Sequence, residues 1–188
     1  MNDLDLAVFR AINGWPEGLR PFFVFLTNFT KEPAGLLILA LATIGLIWWK
    51  PSRVPCILAV VCWPLADGAT NLLKHWWQWP RPSWPESLLA HPEFIVRVDP
   101  LTSFGTASAH SANMMTVATC FLLFDRRLGA AWVTIAVLVG LSRIYVGVHW
   151  PSQVLLGWLV GAIVGTLAVL VYKKFGPRKP SESHLVEA

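Results

Sequence analysis

Five apolar runs of membrane-spanning length dominate this sequence and leave few folds open to it. A helix needs roughly 20 apolar residues to cross the hydrocarbon core of a bilayer. The runs cover residues 34–49, 54–76, 109–125, 128–146 and 151–172. Apolar residues make up 55% of the chain and charged residues only 14%, whereas about a quarter of the residues in a soluble domain are charged. The sequence therefore predicts an all-α, polytopic membrane helical bundle that forms a single domain, residues 1–188.

The first part of the chain, residues 1–32, carries a weaker apolar signal. Segments 4–13 and 17–29 mix large apolar residues with charged and polar ones. Helices of this mixed kind lie in the membrane interface, so we predict N-terminal interfacial helices here. The alternative is a short sixth span over residues 17–30. The bundle is thus predicted to have five or six transmembrane helices.

Basic residues at three boundaries between the apolar runs orient the chain, because cytoplasmic loops of membrane proteins are enriched in Lys and Arg. These basic residues are Lys50 and Arg53, Arg126 and Arg127, and Lys173, Lys174, Arg178 and Lys179. The bias places the tail, residues 174–188, in the cytoplasm. It places the Pro-, Trp- and Ser-rich loop, residues 78–106, outside. The basic tail is predicted to be a topology anchor, so no nucleic-acid partner is expected.

The external loop and the last apolar run each carry a further feature. The loop contains Arg97, a candidate for binding a second phosphate or an anionic head group. Tryptophans at its start are predicted to form an interface belt, or to line a groove through which a lipid tail enters. In the last run, Gly157, Gly161 and Gly165 recur every four residues. Such a small-residue face lets another helix approach closely.

The cysteines and the N-terminal acids argue against several other classes. Cys56, Cys62 and Cys120 fall inside apolar runs, where a free cysteine behaves as a small hydrophobe. No Cys/His spacing indicates zinc or redox chemistry. Asp3 and Asp5 stand where a cleavable signal peptide has its basic region. We therefore predict no signal peptide, no metal and no cofactor.

Three short polar clusters lie at the ends of apolar runs, and the charge bias alone places all three on the external face. They are Lys74 with Arg81, Ser108 with His110, and Ser142 and Arg143 with His149. Cations and hydroxyls stabilise the charge on the oxygens of a transferring phosphoryl group. One imidazole can attack phosphorus while the other protonates the leaving oxygen. The clusters therefore predict cleavage of a phosphate ester at the outer face of the membrane.

The spacing of these clusters resembles the three-part signature of the type 2 phosphatidic acid phosphatase superfamily. The matching residues are Lys74-x6-Arg81-Pro82, Ser108-x-His110 and Ser142-Arg143-x5-His149. The resemblance extends over about residues 20–175. It implies a multi-span helical bundle and a lipid phosphatase that needs no metal, because fixed cations can neutralise the charge that Mg²⁺ neutralises elsewhere.

The resemblance also implies a role for each residue. His149 would be the nucleophile that forms a phosphohistidine. His110 would protonate the leaving group and later deprotonate the attacking water. The implied phosphate-binding residues are Lys74, Arg81, Ser108, Ala109, Ser142 and Arg143.

Three positions depart from the family pattern. Ala107 stands where members usually have Pro, a change that removes no chemistry. Ala109 stands where members usually have Gly, a change that keeps the backbone N–H. Gln153 follows His149 by four residues, where members have Asp. The amide oxygen can accept from Nδ1–H of His149 and fix its tautomer, but it offers no negative charge. Asp67 is an alternative source of a carboxylate, although its seven-residue separation from Lys74 corresponds to roughly 10 Å of helix rise.

Together with the topology, the resemblance implies an integral membrane phosphatase in the bacterial cytoplasmic (inner) membrane, with its site facing the periplasm or exterior. The expected substrate is undecaprenyl diphosphate, phosphatidylglycerol phosphate or phosphatidic acid, presented by the lipid bilayer. Two alternatives remain. One is a lipid phosphotransferase, and the other is a lipid-phosphate binder whose turnover is weakened by Gln153. The oligomeric state is left open.

Overall fold

Helices account for all the regular structure in residues 3–177, the part of the chain that the computed structural model describes. They are α1 (Asp3–Asn13), α2 (Arg20–Asn28), α3 (Pro33–Trp48), α4 (Lys50–Trp77), α5 (Pro85–Ala90), α6 (Ala109–Leu122), α7 (Arg126–Tyr145) and α8 (Pro151–Phe175). A 3₁₀ turn, Glu17–Leu19, joins α1 to α2. The predicted all-α fold is confirmed. Most of the predicted cytoplasmic tail, residues 174–188, lies outside the described residues.

The five predicted apolar runs correspond to α3, α4, α6, α7 and α8, and these helices differ in length. Within the described residues, α4, α7 and α8 are long and apolar enough to cross a bilayer. The segment Glu17–Asn28, which is the 3₁₀ turn with α2, meets that test only as a pair with α3, and the two are bent by 63° at the break between them. α6 has 14 residues, a rise of only about 21 Å. Length and composition thus support three or four crossings, and five or six remains a prediction.

α6 is the central helix of the bundle. It packs against α4, α7 and α8, and most of its residues are buried. The Ser108 hydroxyl caps its first turn by accepting from the Ser111 N–H at 3.3 Å, which satisfies one of the free donors at a helix start. α6 and α8 begin at the end of the bundle where α4 and α7 finish. We call this the upper end.

The predicted small-residue face packs α8 against α6. A Cβ atom at Gly157 would lie 2.5 Å from the Ser108 carbonyl oxygen, and one at Gly165 would lie 2.8 Å from Thr119 Cβ. At Gly161 the obstacle is the Ala112 carbonyl, which is backbone and cannot turn aside. The two helices can therefore approach this closely only because all three positions are glycine.

The N-terminal helix α1 is fixed across the upper end of the bundle. Asp5 accepts hydrogen bonds from the backbone N–H and the hydroxyl of Ser152, both at 2.8 Å, in the first turn of α8. A carboxylate is favourable there because the helix dipole places partial positive charge at a helix start. At the other end of α1, Asn13 donates to the carbonyls of Ile95 and Tyr145 at 2.8 and 3.0 Å. α1 is thereby attached to α8, to the external loop and to the end of α7.

Arg97 of the external loop is buried beneath the N-terminal segment. Its guanidinium donates to the Tyr145 carbonyl at 2.7 Å and to the Glu17 carboxylate at 2.9 Å, and it lies 4.1 Å from the centre of the Tyr145 ring. These contacts fit a loop-stabilising role better than the alternative of a second phosphate site. The same loop contains α5, a short helix that the sequence analysis did not predict.

Because α8 meets α6 through glycines, adding one methyl group there is expected to weaken the bundle. We expect Gly161→Ala to lower the thermal unfolding midpoint in detergent by several degrees, since overpacking a tight contact costs about 1–3 kcal/mol. Gly45→Ala is the matched control, because a Cβ atom at Gly45 meets no atom within 4 Å. Equal midpoints for the two variants would contradict this account of the α6–α8 contact.

Candidate active site

The ends of four helices and the external loop bring the main predicted site residues together. Lys74 lies near the end of α4, His110 at the start of α6, Arg143 near the end of α7, and His149 in the turn before α8. Arg81 comes from the loop, and its Nη1 atom lies 2.7 Å from His149 Nε2. The charges of Lys74 and Arg143 act on both imidazoles. We call these five residues the upper cluster.

The turn between α7 and α8 presents His149 to this cluster. Gly147 adopts a left-handed conformation with a φ of 83°, which L side chains rarely adopt. A Cβ atom there would also lie 2.5 Å from the Ile95 carbonyl oxygen. Beyond this turn, the His149 N–H donates back to the Arg143 carbonyl at 3.2 Å. The imidazole is thereby buried with only 3% of the residue exposed.

Two neighbours define the protonation of the His149 ring. Nδ1 lies 3.0 Å from the Gln153 Oε1 atom, and Nε2 faces the Arg81 guanidinium. An amide oxygen can only accept and a guanidinium can only donate. The hydrogen-bond pattern therefore assigns the proton to Nδ1 and makes Nε2 the acceptor of an Arg81 N–H.

The surroundings also keep this imidazole neutral. Burial lowers the pKa of His149 well below its ordinary value of 6.5, and the charges of Arg81 and Arg143 lower this pKa further. At neutral pH the Nε2 lone pair is consequently not taken up by a proton. A neutral imidazole, which keeps a lone pair on one nitrogen, is the form that can act as a nucleophile.

Gln153 uses both ends of its amide. Its Oε1 atom accepts from His149 Nδ1 at 3.0 Å and from the Trp150 N–H at 3.2 Å, while Nε2 donates to the Pro80 carbonyl at 2.8 Å. The residue is 1% exposed, and the amide lies so close to Gly105 that a Cβ atom there would clash with it. Gln153 thus links the His149 ring to the backbone beside Arg81. An aspartate is shorter and has no N–H to donate to Pro80.

Asp67 lies elsewhere in the bundle. It accepts a hydrogen bond from the Asn113 side chain of α6 at 3.4 Å, whereas the His149 Nδ1 position is taken by Gln153. The alternative in which Asp67 replaces the family carboxylate is therefore not what the structure adopts.

Backbone carbonyls hold the Arg81 guanidinium in place. Nε donates to the Ser103 carbonyl at 2.5 Å, Nη2 to the Phe104 carbonyl at 3.0 Å, and Nη1 to the Val148 carbonyl at 3.0 Å. Burial lowers the pKa of Arg81 to about 10, so the group remains charged at neutral pH. Sequence reasoning missed these partners because a carbonyl is present at every residue and leaves no signal in a motif.

Arg143 and His110 share a partner that the sequence analysis missed. Arg143 Nη1 donates to the Thr27 hydroxyl, and the backbone of Thr27 hydrogen-bonds the His110 ring. Arg143 Nε and His110 Nε2 are buried and have no hydrogen-bond partner within residues 3–177. A buried polar atom without a partner is costly, so both atoms are available to a polar ligand. Thr27 lies in α2, where an isolated threonine gives no sequence signal of such a role.

The remaining predicted residues differ in their exposure and in their hydrogen-bond partners. Lys74 is partly exposed, and its ammonium donates to the Asn71 side chain at 3.3 Å. The Ser108 hydroxyl caps α6, and Ala109 is the first residue of that helix, where free N–H groups and the helix dipole favour an anion. The Ser142 hydroxyl donates to the Val139 carbonyl within α7 at 2.7 Å, so its proton is already used.

The upper cluster combines a neutral imidazole, a second imidazole, two guanidinium groups and an ammonium group. Such a set can bind a phosphate-sized anion and attack it. Within residues 3–177, no group of three or more His, Cys, Asp or Glu side chains comes together as a metal site.

Comparison with known proteins agrees with this arrangement. The family model of the PAP2 superfamily matches residues 54–177. The chain is 30% identical to the undecaprenyl-diphosphatase of Sulfolobus acidocaldarius over 187 residues, which cover 96% of this chain and 84% of that protein.

Two solved structures share the fold. One is a PAP2-type phosphatidylglycerolphosphate phosphatase from Bacillus subtilis, with a TM-score of 0.69 and 21% identity over 95% of this chain and 90% of that one. The other is LpxE of Aquifex aeolicus, with a TM-score of 0.67 and 26% identity over 90% of this chain and 96% of that one. The resemblance that the three polar clusters carried is confirmed, and this chain belongs to the PAP2 superfamily.

Proposed function

We propose that this protein is an integral membrane phosphatase that hydrolyses a lipid phosphate or diphosphate through a phosphohistidine at His149. The pair of contacts on the His149 ring carries the proposal. Gln153 accepts from Nδ1–H at 3.0 Å, and the Nε2 lone pair lies beside the Arg81 guanidinium at 2.7 Å. This is a neutral nucleophile held in one tautomer within a group of cations. Membership of the PAP2 superfamily supports the same function.

The proposed reaction has two steps. His149 Nε2 forms a bond to phosphorus while the P–O bond to the lipid breaks, and the leaving oxygen takes a proton from His110. His110 then takes a proton from a water molecule whose oxygen attacks phosphorus. The N–P bond breaks, its electron pair returns to Nε2, and inorganic phosphate leaves. Arg143, Lys74 and the N–H groups at the start of α6 would stabilise the charge on the phosphoryl oxygens.

Arg81 is proposed to change one partner when substrate binds. Its Nη1 atom contacts the same Nε2 atom that must attack phosphorus, so a bound phosphate oxygen has to take over that N–H. The contacts with the carbonyls of Ser103 and Phe104 involve other nitrogen atoms and would keep the side chain aimed at the site. Hydrogen bonds to a charged acceptor are stronger than those to a neutral one, which favours the exchange.

The substrate class and the face of the membrane are also part of the proposal. Relatives in the superfamily include a named undecaprenyl-diphosphatase and a phosphatidylglycerolphosphate phosphatase, so these two lipids and phosphatidic acid are the proposed substrates. The basic residues at the start of α4 and α7 and at the end of α8 lie at the end of the bundle opposite the upper cluster. This charge distribution supports an extracytoplasmic site in the cytoplasmic membrane.

Phosphate release tests the nucleophile. We expect the purified protein in detergent to release inorganic phosphate from at least one of the three lipids. His149→Ala should reduce that release to background, since the proposed mechanism assigns the attack on phosphorus to His149 alone. His75→Ala should have little effect, because His75 is exposed and belongs to no part of the site. If His149→Ala retained full release, the proposed mechanism would be wrong. Phosphate transferred to an added alcohol rather than released would instead favour the phosphotransferase.

Two substitutions at Gln153 separate its hydrogen bond from its charge. We expect Gln153→Leu, which keeps the size but removes the acceptor, to lower kcat by about 10²-fold or more, because an unheld histidine samples the wrong tautomer and orientation. Gln153→Glu keeps the acceptor for Nδ1–H and should retain more activity than Gln153→Leu. Its lost contact with Pro80 should lower the unfolding midpoint.

The pH profile distinguishes this positioning role from a structural one. The acid limb of kcat/KM reports the free enzyme, so its midpoint should lie below 6.5 in the unmodified protein, where the pKa of His149 is lowered. A carboxylate at position 153 favours the imidazolium and raises the pKa of His149. The limb should therefore move to higher pH in Gln153→Glu. An unchanged profile would show that residue 153 does not act on the nucleophile.

Chelation tests the predicted independence from metals. If fixed cations neutralise the phosphoryl charge, prolonged treatment with EDTA followed by removal of the chelator should leave phosphate release unchanged. Loss of activity that Mg²⁺ or Zn²⁺ restores would require a metal in the mechanism.

A further inference from the structure

The end of α2 lies against the His110 ring. The backbone of Thr27 hydrogen-bonds this ring, and His110 Nε2 has no partner within residues 3–177, so the bond is made at Nδ1. In a regular α-helix the Thr27 carbonyl would accept from the N–H of Lys31. Here that N–H donates to the Asn28 carbonyl at 2.7 Å, which leaves the Thr27 carbonyl to accept from Nδ1–H. α2 therefore orients the proposed general acid and leaves its Nε2 atom for the leaving group.

The turn between α2 and α3, residues 29–32, is fixed beside this contact. A Cβ atom at Gly35, in the first turn of α3, would clash with the Phe29 carbonyl, so the turn packs closely on α3. α3 finishes where α4 begins, at the end of the bundle opposite the upper cluster, and its start consequently lies at the upper end. Lys31 is thereby held at the upper end, one turn beyond Thr27.

Lys31 places a cation on the His110 side of the upper cluster. Its charge acts on the His110 ring, whereas the cations that act on the His149 ring are the three of the upper cluster itself. Lys31 is exposed, and among the described residues it takes part in no ion pair. It is thus a positive charge available beside the residue that serves the leaving group.

The two classes of proposed substrate differ in the group that leaves. When a lipid monophosphate is cleaved, the P–O bond to the alcohol breaks, and with a proton from His110 the leaving group is a neutral alcohol. When the terminal phosphorus of a lipid diphosphate is attacked, its bond to the bridging oxygen breaks and the electron pair stays on that oxygen. The leaving group is then a lipid monophosphate, which carries about 1.5 to 2 negative charges at pH 7. Only a diphosphate therefore supplies an anion on the leaving-group side.

We propose that Lys31 binds the lipid-linked phosphate of a diphosphate and makes a lipid diphosphate the preferred substrate, an inference that rests on the proposed function. The terminal phosphate occupies the upper cluster, and the bridging oxygen lies at His110 Nε2. A cation placed where negative charge develops lowers the barrier to cleavage. Arg97, the sequence candidate for a second phosphate, is already engaged by Tyr145 and Glu17, which leaves this role to Lys31.

Two probes with the same chain, dodecyl diphosphate and dodecyl phosphate, isolate the effect of the second phosphate. We expect Lys31→Gln to lower kcat/KM for the diphosphate at least about fivefold and to leave the monophosphate within about twofold. The loss is smaller than for a buried hydrogen bond to a charged group because Lys31 is exposed to water. Initial rates are followed by chromatography of the products, dodecyl phosphate and dodecanol. Both rates come from one preparation, so their ratio is independent of the amount of folded protein.

A charge series and a matched control accompany this measurement. Lys31→Arg keeps the positive charge and should retain the preference for the diphosphate, whereas Lys31→Glu should lower it further than Lys31→Gln because like charges repel. Lys50→Gln makes the same change at the opposite end of the bundle and should leave the preference unchanged. Equal slowing of both probes by Lys31→Gln would overturn the inference, as would an unmodified protein that cleaves the monophosphate faster.

A binding measurement separates the inference from the proposed function. Dodecyl methylenediphosphonate has a CH₂ group in place of the bridging oxygen and is not hydrolysed, and dodecyl phosphonate is its counterpart with one phosphorus. By calorimetry in detergent, Lys31→Gln should weaken binding of the diphosphonate at least about fivefold and that of the phosphonate by less than about twofold. Equal affinities of the two proteins for the diphosphonate would overturn the role of Lys31. Binding that follows the expected pattern without cleavage of either dodecyl ester would support Lys31 and overturn the phosphatase.

Discussion

Two guanidinium groups are buried at the upper end of this bundle, and the segments around them are positioned to supply their hydrogen-bond partners. A buried charge left without partners costs several kcal/mol. Arg81 is 2% exposed and donates to carbonyls of the external loop. Arg143 is 1% exposed and donates to the Thr27 hydroxyl of α2. The loop and α2 are thereby held against the α7–α8 turn. Segments that the sequence separates widely come together around two positive charges.

Gln153 links the His149 ring to the backbone near Arg81 through the two ends of its amide. In the family pattern the corresponding aspartate supplies both an acceptor and a charge for the nucleophilic histidine. Here the amide supplies the acceptor, and its N–H groups bind the Pro80 carbonyl at 2.8 Å. The position of the His149 ring and the course of the backbone that carries Arg81 are consequently coupled through one side chain. Gly105 has no side chain, which leaves the amide room between them.

Much of the fold could be predicted from the sequence because a membrane helix is recognisable from the composition of its own segment. The runs 34–49 and 151–172 correspond closely to α3 and α8, and the glycine face of α8 packs as expected. The five predicted residues of the upper cluster are assembled at one end because they lie at or near the ends of the runs 54–76, 109–125, 128–146 and 151–172. Their catalytic roles stay proposals.

What the sequence could not reveal depends on contacts between distant segments. Thr27 is one threonine in a mixed segment, and nothing local indicates that it contacts Arg143 across 116 positions. The carbonyls around Arg81 also leave no signal in the sequence, because every residue has a backbone carbonyl. Arg97 was a candidate for phosphate binding, but the structure buries it among loop contacts. A buried structural arginine and a ligand-binding arginine look alike in sequence.

The contact between Asp5 and Ser152 has a consequence for how the protein is made. The two residues are 147 positions apart, and Ser152 follows His149 by three. A ribosome synthesises the chain from its N-terminus, so α1 emerges long before the helix start that it binds. Until α8 is made, neither the contact of Asp5 with Ser152 nor that of His149 with Gln153 can form. Assembly of the upper cluster with its hydrogen-bond partners is therefore among the last events of biosynthesis.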